Sequence, residues 1–513
     1  MTVRPMPSRA QRIARWAVPV SITAAAAAVR LAGLGGPDEL IFDETYYVKD
    51  AWTLLHLGYE GTWGEDPNGA FEAGDTSGYS DEGSFVAHPP LGKWIISLGM
   101  ALFGGGPWGW RFAIAIIGTL MVPLLYLIAK RMTGSVRLAA AAAALLAIDP
   151  LAVSMSRIAL LDTPLAFLVL LAFWFALLDR PGTVAAIRAG ARRDGIAGPV
   201  LWRRPWILAA GVTLGLATSV KWSGLYALAV LGIAIVIADA IDRRRAGVTR
   251  WAEAAIGRQG PVSFVLLVPP ALIAYVASWT GWLATDGGYD RASSSNALLA
   301  LWNYHRAVLS FHSGVNSDHT YASPAIEWIP MLNPTLMYRE QLQGEACAIA
   351  DSCVGVMAAL PNPVLWWGGV IAIVWLVARI VQSAVTRTRI RGREALVLAG
   401  VLATYVPWLL LPDRTMFTFY AVTVLPFVIL AVVLVAHALR QERIPVLLSD
   451  PTLDEIQREQ TRTAARTETR RAATTIVLIA MLVVGVYFLP FGTGWLEPEA
   501  LYRAHLWLPS WYL

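Results

Sequence analysis

Residues 91–103, LGKWIISLGMALF, are apolar enough to enter a membrane and too short to cross one. A spanning helix needs about 20 mostly apolar residues at a rise of about 1.5 Å each. This run ends after 13, where Gly104, Gly105, Gly106 and Pro107 follow. Whether it spans decides on which side of the membrane every later segment lies. Eleven other runs qualify as spans: 16–34, 110–129, 138–153, 158–178, 206–220, 222–240, 262–282, 364–382, 395–411, 418–438 and 474–490. With 56% hydrophobic and 15% charged residues, against about 25% charge in soluble domains, the chain is polytopic. The composition excludes a soluble enzyme, a disordered regulator and a disulfide-rich secreted module.

Loop charge tests the short run. With the N-terminus inside and 91–103 lying at the interface or re-entering, the inner segments are 1–15, 130–137, 179–205, 241–261, 383–394 and 439–473. Together with Asp239 and Arg379 at inner span ends, they hold 30 of the 41 Lys and Arg and 12 of the 36 Asp and Glu. The rest of the chain holds 11 basic and 24 acidic residues, so the formal charge of +5 conceals a basic inner face and an acidic outer one. A spanning 91–103 would invert every later loop and put Arg243, Arg244, Arg245 and the segment RTRIRGR at 387–393 outside, which the positive-inside rule rejects.

The expected organisation is a cytoplasmic segment 1–15, a first span 16–34 retained as a signal anchor, and an outer catalytic loop 35–109 with interfacial helices. Spans two to seven follow within 110–282, then a second outer loop 283–363, spans eight to eleven within 364–490, and an outer tail 491–513. All His except His437 fall on the outer side, and the inner loops carry no GxGxxG or GxxxxGK[ST] pattern. The chemistry is therefore expected to face outward.

The segment IFDETYYVK at 41–49 follows the first span and places Asp43 beside Glu44. Adjacent carboxylates near a membrane surface raise at least one pKa, which suits a general base; acidic residues at a helix N-terminus, complementing its dipole, are the plainer alternative. In HPPLGKW at 88–94 two prolines start a helix, and His88 and Lys93 at headgroup depth are placed to contact a phosphate, or to form a turn with a snorkelling lysine. Arg30, Arg111, the pair Arg157 and Asp162, and Lys221 lie at outer span ends, where charge needs water or a partner. Several cations beside an acidic loop point to a membrane-embedded anion. Arg414, in DRTMFTFY at 413–420, reads equally as a phosphate ligand or as the partner of Asp413. His305, His312 and His319 recur every seven residues, a spacing that argues against a shared metal. Cys347 and Cys353 enclose a short loop on the oxidising side, compatible with a disulfide or with free thiols.

Taken together, RLAGLGGPDELIFDETYYVKDA, HPPLGKW, WRFAIAIIGTL, SRIALLDTPLAF, KWSGLY and RTMFTFYAVTVLPF, in that order over residues 30–438, resemble the protein O-mannosyltransferase family in its bacterial, particularly actinobacterial, form. HPPLGK combined with FDE is the specific part. The resemblance implies an all-α polytopic protein of the GT-C glycosyltransferase fold with about eleven spans, and transfer of mannose from a polyprenyl-phosphate-mannose donor to Ser or Thr of secreted or membrane proteins, delivered by the Sec translocon. It places the active site and the C-terminus outside the cell membrane and involves no nucleic acid. Eukaryotic relatives carry a β-trefoil MIR domain in an outer loop; the loop 283–363 shows no threefold repeat and departs from them.

On this reading the reaction is a single inverting displacement. Asp43 takes the proton from the attacking hydroxyl and Glu44 orients sugar or acceptor. Lys221 and Arg111 stabilise the leaving lipid phosphate, with Arg157, Lys93 and His88 behind them; Arg30, Asp162, Arg414 and Tyr420 complete the donor site. No metal or other cofactor is expected, because the acidic pair is contiguous rather than a spaced DxD. The competing readings are a related lipid-phosphate-sugar transferase of arabinose or aminoarabinose type, against whose KPPL segment the full HPPLGK argues, and a transporter, against which the lack of matching halves argues.

Overall fold

The computed structural model describes residues 9–316, 318–388, 391–441 and 453–513. The chain is mostly helical. Among the described residues six helices are long and apolar enough to cross a membrane: Pro107–Thr133, Asp162–Ala191, Gly224–Arg245, Trp251–Ser278, Pro363–Val385 and Arg462–Tyr487. The pair Val136–Ile148 and Pro150–Arg157, bent by 54°, brings the number to seven if it is counted as one span. Three shorter apolar helices, Trp16–Leu31, Pro205–Val220 and Leu425–Gln441, lie within other expected spans. The run expected at 395–411 is helical over Gly392–Thr404, breaks at Tyr405 and resumes for one turn at Val406–Leu409.

Three further expected spans differ from the simple apolar-run reading, each for a local reason. The 138–153 run breaks because Pro150 has no N–H to donate and starts a new helix, which Asp149 caps by accepting from Ala152 N at 3.2 Å. The 158–178 helix begins only at Asp162, since residues before it are extended and the Ala159 N–H is committed to Glu44. In the 418–438 run, Thr418–Thr423 is a 3-10 turn. There the Thr418 hydroxyl donates to Asn333 O at 2.6 Å and its N–H to Thr335 Oγ1 at 3.2 Å.

The 13-residue helix Leu91–Phe103 is as short as its sequence, about 20 Å. It buries Lys93, Ile96 and Met100 and exposes Leu98, Leu102 and Phe103, the two-faced pattern of a helix lying in an interface. The all-α expectation missed two small antiparallel sheets. One pairs Gly61–Trp63 with Tyr79–Gly83 inside the first outer loop. The other joins Thr335–Gln343, Ser352–Ala359 and Glu497–Pro498, so the C-terminal segment adds a strand to the segment 283–363. A disulfide between Cys347 and Cys353 closes the connection between its first two strands. Trp511 Nε1 donates to Met331 O at 2.6 Å, fastening the tail to the same loop.

At the opposite ends of the helices buried charge is internally neutralised. Arg204 reaches Asp179 and Asp239, each at 2.6 Å, and Arg180 reaches Asp239 at 2.6 Å and also Asp242. This network accounts for the charged residues found inside the bilayer-facing ends of these helices.

Candidate active site

Three buried arginines build the platform on which the site rests. Arg157 donates to the carbonyls of Val29, Arg30, Ala32 and Gly33, closing the C-terminus of the first helix. Arg30 in turn donates to Ala147 O at 2.9 Å and Leu146 O at 3.2 Å, the last carbonyls of Val136–Ile148. Helix C-termini leave carbonyls unpaired and carry partial negative charge, so a guanidinium there satisfies both demands. Arg111, in the first turns of Pro107–Thr133, is fully buried and uses all five of its N–H donors. Two form a fork on Glu44 at 2.9 and 2.7 Å; the others go to Leu34, Pro37 and Glu39 carbonyls. No donor of Arg111 is left for a phosphate.

Glu44 is correspondingly consumed. Beyond Arg111, its carboxylate accepts from Ile41 N at 3.1 Å and Ala159 N at 2.7 Å, with no exposed surface. It opens the helix Glu44–Leu57 and ties the first outer loop to the segment before Asp162. Lys93 is likewise spent: its ammonium, 1% exposed, lies 2.6 Å from Glu60 and 3.9 Å from Asp50 and donates to His88 O. Sequence reasoning placed Glu44, Arg111, Arg157, Arg30 and Lys93 at substrate; the structure places them in the framework around it.

Asp43 is different. It occupies the N-cap position of Glu44–Leu57, as the plainer helix-terminus reading had it, yet its side chain makes no cap bond. Phe42, just before it, adopts φ of +52°, a left-handed conformation that costs a non-glycine residue free energy. Edge-on packing of Phe42 against Phe417 and Phe419, at 5.5 and 5.6 Å, holds it there. The Asp43 carboxyl is pushed up to about 6, chiefly by burial; the Lys221 charge lowers it, Asp162 raises it, and a hydrogen bond from Tyr47, one helical turn on, lowers it.

Lys221 leaves the helix Pro205–Val220 in an extended conformation. The turn is tight: a Cβ on Gly224 would lie 2.5 Å from Thr218 N, which is why KWSG needs its glycine. The ammonium donates to Asp162 Oδ1 at 3.0 Å and lies 3.9 Å from the centre of the Tyr420 ring. A Cβ on Gly92 would meet Leu161 at 2.5 Å and Val220 at 3.3 Å. The helix after HPPLGK is thus wedged between the Asp162 and Lys221 segments, and this brings His88 to the site.

His88 Nδ1 is buried without a protein partner, and burial, then Lys221, pushes its imidazole well below the usual histidine range. The imidazole is therefore neutral at physiological pH. His312 lies 5.5 Å away, ring to ring, and Arg414 donates to His312 O at 2.8 Å while its own Nε has no partner. The structure therefore gathers Asp43, Asp162, Lys221, His88, Arg414 and Tyr420. Sequence reasoning missed Tyr47, His312 and Trp222. The four-residue step from Asp43 to Tyr47 was a readable signal; His312 and Trp222, whose rings lie 5.7 Å apart, come from distant segments and carried none. A small void of about 10 Å³ lies among Asp162, Tyr420, Leu165, Val169, Ala227 and Trp408. Among the described residues no three His, Cys, Asp or Glu side chains are placed to share a metal ion.

The helical membrane scaffold has the GT-C type of fold, and it gathers an acidic group and several cations at one end. The fold matches one chain of the Saccharomyces cerevisiae protein O-mannosyltransferase Pmt1–Pmt2 complex bound to the sugar donor, with a TM-score of 0.71 over 100% of this chain and 96% of that one at 14% identity. Residues 87–179 match the family model described as dolichyl-phosphate-mannose-protein mannosyltransferase, and residues 298–511 the C-terminal four TMM region of protein-O-mannosyltransferase. The polyprenol-phosphate-mannose–protein mannosyltransferase of Mycolicibacterium smegmatis strain MKD8 is 31% identical over 97% of this chain and 93% of its own length. That of Mycobacterium tuberculosis H37Rv is 30% identical over 98% and 92%. The chain belongs to the protein O-mannosyltransferase family.

Proposed function

We propose that the protein transfers mannose from polyprenyl-phosphate-mannose to Ser or Thr hydroxyls of secreted or membrane proteins, at the outer face of the cell membrane, with inversion at the anomeric carbon. The observation that carries the mechanism is Asp43, a carboxylate unspent on capping or ion pairing and pushed up to about 6, set beside the charge of Lys221. The acceptor hydroxyl oxygen attacks the anomeric carbon as the bond from that carbon to the phosphate oxygen breaks. Its proton passes to Asp43, and the lipid phosphate leaves with the bonding electron pair. A phosphate is already a good leaving group, so charge stabilisation matters more than protonation. Lys221 supplies that charge, with Arg414 and the neutral His88 as hydrogen-bond donors and Asp162 and Tyr420 holding the lysine in place.

Glu44 and Arg111 are positioning residues: they set the start of the helix from which Asp43 projects. In the same proposal residues 1–15 are cytoplasmic, 35–109 form the outer catalytic loop, 283–363 form a second outer loop, 491–513 an outer tail, and the Sec translocon supplies acceptor chains. The test is purified protein with polyprenyl-phosphate-mannose and a Ser/Thr-rich peptide. Addition of one hexose by mass, absent for Asp43→Asn, supports the proposal; hexose addition by the Asn variant at the native rate overturns the base assignment.

A further inference from the structure

A cavity of about 730 Å³ opens between the helices Trp16–Leu31, Val136–Ile148, Leu425–Gln441 and Arg462–Tyr487, at the end of the bundle away from Asp43. Its remoteness follows from one helix: Arg111 sits beside Glu44 near the start of Pro107–Thr133, whereas Thr133 lines the cavity. That separation is about 33 Å at helical rise, roughly the thickness of a bilayer core. The loop charges place this end on the cytoplasmic side.

The lining includes apolar residues, Leu138 and Leu478 among others, and the cations Arg137, Arg440 and Arg471, with no carboxylate among the described lining residues. Arg440 is aimed by hydroxyls rather than by an acid, donating to Thr474 and Thr475 at 2.8 Å each. His437, 5% exposed, also lines the cavity. This contrasts with the same end of the neighbouring helices, where Arg204 and Arg180 are paired with aspartates. Arg137 and Arg471 both lie close enough to Arg440 to repel it, and an anion among the three relieves that repulsion. Apolar residues in the same lining call for an anion that carries hydrocarbon.

We propose that this cavity binds one anionic glycerophospholipid of the inner leaflet, its phosphate held among Arg137, Arg440 and Arg471 and its acyl chains laid over Leu138 and Leu478. Basic pockets between helices at the cytoplasmic surface recognise such headgroups. The lipid wedges the helix Leu425–Gln441 against its neighbours, far from the sugar-transfer site.

The experiment is native mass spectrometry of the full chain released from neutral detergent. It is titrated with phosphatidylglycerol, diphosphatidylglycerol or phosphatidylcholine of identical acyl chains, and separately with polyprenyl phosphate and inorganic phosphate as competitors. One anionic phospholipid retained at least tenfold more tightly than phosphatidylcholine supports the site. So does reduction to the phosphatidylcholine level in the Arg137→Gln, Arg440→Gln, Arg471→Gln variant, with no change in the charge-matched control Arg188→Gln, Arg192→Gln, Arg193→Gln. Equal retention of phosphatidylcholine overturns the proposal, as does equal loss in the control, which would mean diffuse attraction to a basic face. Displacement by polyprenyl phosphate or by millimolar inorganic phosphate overturns the lipid assignment. The wild-type selectivity series decides the question even where the triple variant does not fold.

Discussion

The carboxylates of Asp43 and Glu44 are adjacent in sequence and opposite in circumstance: Glu44 is clasped by Arg111 at 2.9 and 2.7 Å with no exposed surface, whereas Asp43 makes no cap bond. The clasp is what frees the neighbour. By holding the first helical residue to Arg111 and to the Ala159 N–H, it fixes the direction in which the preceding residue points. Substitutions at the two positions should therefore fail differently. Asp43→Asn should lower transfer by about 10²–10⁴-fold with an unchanged melting temperature and retained donor binding. Glu44→Gln should instead lower stability by about 3–5 kcal/mol, because it strands a buried guanidinium. Thermal unfolding and donor-binding measurements on both variants separate the two.

The pH dependence carries a sign. Asp43 acts as a base only when ionised, and its carboxyl is pushed up to about 6, so kcat/KM should fall about tenfold per pH unit below that value and level off above it. Lys221 pulls the group down against burial. Removing that charge in Lys221→Met should move the acid limb of the residual activity to higher pH. A limb that stays in place would show that Lys221 does not act on Asp43 electrostatically.

The fold was legible in the sequence wherever one apolar run made one helix, and for the short helix Leu91–Phe103, whose 13 residues and following glycines set its length. It was less legible where a polar contact from a distant segment overrode the run. Thr418 is held to Asn333 and Thr335 in the second outer loop, and no periodicity within 418–438 announces that. The site was legible as a set of charges and illegible as a division of labour. Arg111 and Lys221 look alike in sequence, each a cation near an outer span end. Only the positions of the Leu34, Pro37 and Glu39 carbonyls, which depend on how the loop folds back, show that Arg111 is saturated. The strands at Thr335–Gln343 and Ser352–Ala359 went unread because the polar run 339–343 does not look like a buried sheet, and the edge strand that completes it lies some 140 residues further on.

Arg157 and Arg30 offer the matching test of the framework reading. Each donates to helix-terminal carbonyls, Arg157 to four of them. Arg157→Gln should lower stability by about 2–4 kcal/mol and reduce the yield of folded protein, while the folded fraction keeps the native KM for the donor. A large rise in donor KM without loss of stability would instead put Arg157 on the lipid phosphate.

Lys221 should show the converse pattern. Its ammonium is held between Asp162 at 3.0 Å and the Tyr420 ring at 3.9 Å, an arrangement that suits a compact cation and not a planar fork. Lys221→Arg should therefore be nearly as defective as Lys221→Ala in kcat, by about 10²-fold or more, despite keeping the charge. Asp162→Asn, which leaves the charge but loosens its tether, should lose less and should lose it mainly in kcat. Steady-state kinetics with polyprenyl-phosphate-mannose varied at saturating peptide distinguish these cases. An Arg variant with native kcat would mean that net charge at this point suffices and that the tether to Asp162 and Tyr420 is only structural.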